Sequence, residues 1–141
     1  MKYLHTMVRV FDLEKSLTFW CSQLGLHEDH RIELTDARCT LIFLRGPDPK
    51  DPVAIELTYN WDQEEPYSTG RSFGHVAYEV ENIYAFCAQL QQAGVLINRP
   101  PRDGFMAFIR SPDGVSVELL QQDSPLPPAE PWVSMPSIGS W

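Results

Sequence analysis

His5-Thr6-Met7-Val8-Arg9-Val10-Phe11-Asp12-Leu13 and His75-Val76-Ala77-Tyr78-Glu79-Val80-Glu81-Asn82-Ile83 read as two copies of one pattern, in which His5 falls on His75, Val10 on Val80, Asp12 on Asn82 and Leu13 on Ile83. Closing a small gap extends the match. Leu41-Ile42-Phe43-Leu44-Arg45 then lies over Met106-Ala107-Phe108-Ile109-Arg110, and Ile55-Glu56-Leu57 over Val117-Glu118-Leu119. The chain is an internal repeat, and each half opens on a histidine and carries a glutamate near its end.

The period of two in residues 3–10 puts His5, Met7 and Arg9 on one strand face and Thr6, Val8 and Val10 on the other. Asp12 caps a helix whose apolar positions Leu13, Leu17, Trp20 and Leu24 recur at helical spacing up to Gly25. The second half repeats this with His75, Ala77 and Glu79 on one strand face, Asn82 as cap, Ile83, Phe86, Cys87 and Leu90 along a helix, and Gly94 as its stop. Shorter apolar runs follow each helix, near 39–44 and 53–59 and near 105–110 and 115–120, separated by Pro-containing turns, with a fragment around 31–34 as a further strand. The expected fold is α+β, with two tandem βαβββ modules forming a curved mixed sheet. The modules span 1–60 and 73–122 of one domain (1–122), with 61–72 as linker. Pro125, Pro127, Pro128, Pro131 and Pro136 make 123–141 an extended arm, for which Trp132 and Trp141 are the candidate anchors.

At 141 residues, 43% hydrophobic and 21% charged, the sequence has the balance of one globular domain, and no apolar run is long enough to cross a bilayer. Its formal net charge of −8 opposes nucleic acid and anionic membranes, so an anionic substrate has to be caught by individually placed arginines. Cys21, Cys39 and Cys87 show no Cys-x-x-Cys spacing and read as inert thiols of a reducing compartment, with no signal-peptide core before the first strand. The expected location is the cytoplasm.

Alternation in 53–60 sets Ala54, Glu56, Thr58 and Asn60 on one face, and in 115–120 it sets Glu118 opposite Val117 and Leu119. A carboxylate among apolar neighbours needs a cation or water. His5, Glu56, His75 and Glu118 together supply neutral nitrogens and hard oxygens suited to one divalent metal. His27 and His30 lie in a polar stretch and read as solvated.

The strings Leu4-His5-Thr6-Met7-Val8-Arg9-Val10, Ile55-Glu56-Leu57-Thr58-Tyr59-Asn60-Trp61, Phe73-Gly74-His75-Val76-Ala77 and Ser111-Pro112-Asp113-Gly114-Val115-Ser116-Val117-Glu118-Leu119 resemble glyoxalase I (lactoylglutathione lyase) of the vicinal oxygen chelate superfamily, over residues 1–122. The resemblance implies a homodimer with active sites at the interface, where His5 and Glu56 of one subunit join His75 and Glu118 of the other around one metal. It also implies that Arg9, Asn60 and Arg71 hold the γ-glutamyl end of glutathione. Arg9 shares a strand face with His5, and Asn60 with Glu56, so these contacts would line the same surface as the metal. The family's lysines and glycines around 96–105 are replaced here by Asn98-Arg99-Pro100-Pro101-Arg102-Asp103-Gly104-Phe105, in which Arg102 or Arg99 is the candidate for the glycyl carboxylate.

The implied reaction converts the hemithioacetal of methylglyoxal and glutathione to S-lactoylglutathione. It needs a Lewis acid and a carboxylate that takes and returns a proton, and Glu118 is the expected base with Glu56 as its counterpart. Because the chain lacks the N-terminal extension of longer zinc-dependent relatives, Ni2+ or Co2+ is the expected ion, with Zn2+ as the alternative. Two other readings stay open. One is a dioxygenase or thiol transferase of the same superfamily, which usually draws on two His and one carboxylate. The other is a metal-free protein that binds a small molecule.

Overall fold

In the computed structural model, which describes residues 1–141, the chain forms two compact units, Met1–Thr69 and Gly70–Trp141. The first unit contains β1 (His5–Val10), α1 (Leu13–Leu17), a π-helical segment (Thr18–Gln23), β2 (His27–Leu34), β3 (Cys39–Arg45) and β4 (Ala54–Asn60). Its sheet has the order β1-β4-β3-β2, with β1 parallel to β4 and the other pairs antiparallel. The second unit contains β5 (His75–Val80), α2 (Ile83–Gln92), β6 (Ile97–Arg99), β7 (Met106–Arg110) and β8 (Ser116–Gln121), in the order β5-β8-β7-β6 with the same directions. Both halves are thus βαβββ modules. The mixed sheet is realised as two hydrogen-bonded sheets of four strands, one in each module.

The alternation of β1 works as its sequence predicts. Val8 and Val10 are buried while His5, Met7 and Arg9 remain exposed. Asp12 caps α1 by accepting from the Lys15 backbone N at 3.0 Å, and Asn82 caps α2 by accepting from the Ala85 N at 3.0 Å. Buried Ile83, Cys87 and Leu90 then face the core from α2, with Phe86 half-buried.

The first helix departs from its expected period. After Leu17 the backbone widens into the π segment, in which the Leu24 N donates to the Phe19 carbonyl at 2.9 Å. The wider turn changes which side chains face inward. Ser16, Phe19 and Trp20 are buried, while Leu13, Leu17 and Leu24 are only half-buried. Two strands also differ from the sequence pattern. β2 is eight residues long, exposed throughout, and so lacks the apolar alternation that would mark it. β6 forms within the altered segment 96–105, paired on β7.

Residues 61–69 stay with the first unit. The Trp61 Nε1 donates to Thr40 Oγ1 at 2.8 Å, Asp62 pairs with Arg38, and the Asn60 amide donates to Tyr67 Oη at 2.7 Å. The proline-rich arm packs on the second unit. Trp132 is 4% exposed and lies parallel to the Tyr84 ring, whose hydroxyl donates to the Pro127 carbonyl at 3.0 Å.

All three thiols are free, with Cys39 and Cys87 buried. Burial pushes the Cys87 thiol up to about 12, and burial followed by the nearby Glu28 charge raises Cys21, so these two are held away from the reactive thiolate.

Candidate active site

The strand registers turn the sequence repeat into a repeated geometry. Glu56 on β4 stands between Met7 of β1 and Phe43 of β3, while His5 stands beside Ala54, one pleat away. Cross-strand partners share a face, so the imidazole and the carboxylate emerge together. His5 Nε2 lies 2.9 Å from Glu56 Oε2. In the second unit Glu118 stands between Ala77 and Phe108, His75 stands beside Ser116, and His75 Nε2 lies 3.2 Å from Glu118 Oε2.

Each imidazole also meets a phenylalanine edge-on. The ring centroids are 5.5 Å apart for His5 and Phe43, and 5.4 Å apart for His75 and Phe108. The aromatic rings back the histidines and limit their orientation, which favours keeping the Nε2 atoms directed at the carboxylates. Sequence reasoning passed over both phenylalanines, although the alignment of Phe43 on Phe108 was the available signal.

The two halves are not identical. Glu56 is 8% exposed, and its second oxygen, Oε1, accepts from Thr58 Oγ1 at 3.1 Å. The position equivalent to Thr58 in the second half is Leu120, and the hydroxyl of Ser116, two residues before Glu118, makes no hydrogen bond, so no hydroxyl holds the Glu118 carboxylate. On the first sheet His30 stacks on the far side of the motif, 4.4 Å from Phe43, with its Nδ1 2.7 Å from Asp29 Oδ2. The His30 contact, followed by the Arg45 charge, holds the Asp29 carboxyl below the usual range. His27 and His30 are both exposed.

The expected substrate contacts fall into two groups. Arg9 is exposed on β1, opposite Thr58, and has no carboxylate partner, while Asn60 lies two residues beyond Thr58 on the same strand face. Arg71 is exposed in the segment before β5 and is likewise unpaired. Arg102 is differently placed. Its Nε donates to the Met135 carbonyl at 2.9 Å and its Nη2 to Ser137 Oγ at 2.7 Å, so the arm occupies these donors. Arg99 spends its guanidinium on Asp103 and the Met106 carbonyl. The proline pattern marks 123–141 as an extended arm but does not say that it returns to this loop.

No group of three or more His, Cys, Asp or Glu in the chain is placed to hold a metal ion. The His5–Glu56 and His75–Glu118 pairs each present one nitrogen and one carboxylate, and neither alone completes a coordination shell.

The model of the glyoxalase/bleomycin resistance protein/dioxygenase superfamily matches residues 2–119. A lactoylglutathione lyase of Neisseria meningitidis is 39% identical over 129 residues, covering 88% of this chain and 93% of the relative. A probable lactoylglutathione lyase of Vibrio cholerae is 39% identical over 125 residues, covering 85% and 90%. Among solved structures, a glyoxalase I of Leishmania major, described as trypanothione-dependent, superposes with a TM-score of 0.80 at 34% identity, covering 86% of this chain and 87% of that one. The chain belongs to the glyoxalase/bleomycin resistance protein/dioxygenase superfamily, and within it to the glyoxalase I (lactoylglutathione lyase) group.

Proposed function

We infer that this chain is a lactoylglutathione lyase that isomerises the hemithioacetal of methylglyoxal and glutathione to S-lactoylglutathione. The observation that carries the reading is the repeated His–Glu pair, at 2.9 Å and 3.2 Å, in a chain so similar to enzymes of that activity. Glyoxalase I enzymes depend on a divalent metal, and the donor chemistry here fits one. Two imidazoles and two carboxylates, His5, Glu56, His75 and Glu118, would hold it. When bound, the ion supplies a Lewis acid for the oxygens of the substrate.

The protein's own part is to bind, orient and move a proton. Glu118 takes the proton from C1 and returns it at C2 through an enediolate. The asymmetry of the two carboxylates supports this assignment: Thr58 fixes the second oxygen of Glu56, whereas no neighbouring hydroxyl restrains that of Glu118. Glu56 is thereby suited to remain a ligand. Arg9, Asn60 and Arg71 hold the γ-glutamyl end, and the two unpaired guanidinium groups suit its carboxylate in a protein of net charge −8.

Because each pair supplies two donors, we place the complete site at the interface of a homodimer, where His5 and Glu56 of one subunit face His75 and Glu118 of its partner. Ni2+ or Co2+ is the expected ion. No helix is long and apolar enough to cross a membrane, and three free thiols suit a cytoplasmic location.

The test is turnover of the glutathione–methylglyoxal hemithioacetal by protein stripped of metal and reloaded. Ni2+ or Co2+ should restore activity well beyond Zn2+, and the active species should sediment as a dimer. Full activity with Zn2+ alone would overturn the metal assignment, an active monomer would overturn the interface, and no turnover with any ion would overturn the reaction. In that last case the dioxygenase and thiol-transferase readings move ahead.

Arg9→Ala is expected to raise KM for the hemithioacetal, equivalent to about 1.5–3 kcal/mol for a lost charged hydrogen bond. Added salt should weaken the parent more than the variant, because screening acts on the charge that was removed. An unchanged KM would remove Arg9 from the substrate site.

A further inference from the structure

Among the arginines of the second unit, Arg110 combines a place on the site face with a buried donor left unused. It stands opposite Ser116 on β8, and Ser116 stands opposite His75 on β5. These three residues form one cross-strand row, and Glu118 lies two residues along β8 on the same face. Arg110 Nε and Ser116 Oγ are both buried, and neither has a hydrogen-bond partner within the protein. Ser116 is only 6% exposed. A buried donor without an acceptor is costly, and two of them side by side next to a ligand-type histidine point to an acceptor brought from outside.

The rest of the unit narrows what that acceptor is. Arg102 and Arg99, the sequence candidates for the second carboxylate of glutathione, spend donors on the arm, on Asp103 and on the Met106 carbonyl. Of Arg110 the arm takes only Nη2, which donates to Ser140 Oγ at 3.2 Å, and the Nε stays without a partner. A guanidinium flanked by a free hydroxyl is complementary to a carboxylate, which accepts from both and has no proton to donate. The first half matches this only in part. There Arg45, the counterpart of Arg110, also keeps a buried Nε without a hydrogen bond, but that Nε lies 3.5 Å from the Asp29 carboxylate, and Ala54 replaces the serine, so no free hydroxyl stands beside it. The carboxylate subsite is therefore particular to the His75–Glu118 half.

We propose that Arg110 and Ser116 form a carboxylate-binding subsite that takes the glycyl end of the glutathione hemithioacetal. This rests on the lactoylglutathione lyase reading and names its second carboxylate contact. Residue 110 falls inside the repeat, whereas the loop 96–105 that the sequence favoured is diverted to hold the arm.

The experiment compares hemithioacetals of glutathione with those of glutathione carrying a glycyl carboxamide, in the parent, in Arg110→Gln and in Ser116→Ala. In the parent, amidation should lower kcat/KM about tenfold or more, chiefly through KM. Arg110→Gln should lower kcat/KM for glutathione by a similar factor and change it little for the amide, with a smaller selective loss in Ser116→Ala. The parent comparison does not depend on how either variant folds. Equal turnover of the two thiols by the parent, or equal losses on both thiols in Arg110→Gln, would overturn the subsite while leaving the lyase reading intact. Absence of turnover with both thiols in the metal-loaded parent would overturn the lyase reading, and the subsite with it.

Discussion

Glu118→Gln is expected to lower kcat by about two to four orders of magnitude, the usual contribution of a positioned general base. The amide keeps the shape of the side chain and one oxygen, so the His75 contact at 3.2 Å and part of the metal affinity should survive. What it loses is the capacity to accept a proton from carbon. Glu56→Gln should act differently: its carboxylate is 8% exposed and bonded to Thr58, so the amide should reduce metal content before it changes the proton-transfer step. Metal content and kcat, measured side by side on both variants, separate a ligand from a base. A Glu118→Gln enzyme with near-normal turnover would exclude Glu118 from the proton transfer.

Gly104→Ala is expected to destabilise the second unit by about 2–4 kcal/mol, combining left-handed backbone strain with overpacking. Gly104 has φ +69°, and a Cβ at this position would come 2.0 Å from the Leu126 carbonyl oxygen. That oxygen belongs to backbone, and the Leu126 N is held by the Gly104 carbonyl at 3.0 Å, so the two strands of chain cannot part without losing a hydrogen bond. The thermal midpoint should fall by roughly 10 °C. Displacement of the arm should accompany the loss, read as increased exposure of Trp132, which is 4% exposed in the parent. A variant melting with the parent and keeping Trp132 buried would show that the arm shifts at little cost.

The repeat made much of this protein readable in advance. An alternating strand, a capping Asp or Asn and an apolar helical face are local signals, so β1, β5 and α2 follow from the sequence. The grouping of His5 with Glu56 and of His75 with Glu118 comes from the family resemblance, and their contacts are set by the registers of β1 on β4 and β5 on β8. The π segment was hidden because its widened turn answers to packing around Trp20 and leaves the 3.6-residue spacing of Leu13, Leu17 and Leu24 intact in the sequence. β2 was only partly visible, since exposed residues carry no apolar period and the ladder to β3 alone makes it a strand.

Among the site residues, what the sequence by itself determined was the identity of the ligand-type side chains and the strands that bear them. Tertiary structure decided which charged groups remain free. Arg102 and Arg110 are equal in sequence as unpaired arginines, yet the arm returns through contacts far away in the chain and takes two donors of the first, at Met135 and Ser137, while it meets the second only through Nη2 at Ser140 and leaves a buried, unpartnered Nε beside Ser116. The physical reason is range. Alternation and capping act over a few neighbouring residues, whereas the competition among distant carbonyls, hydroxyls and carboxylates for one guanidinium is settled only when the chain has folded.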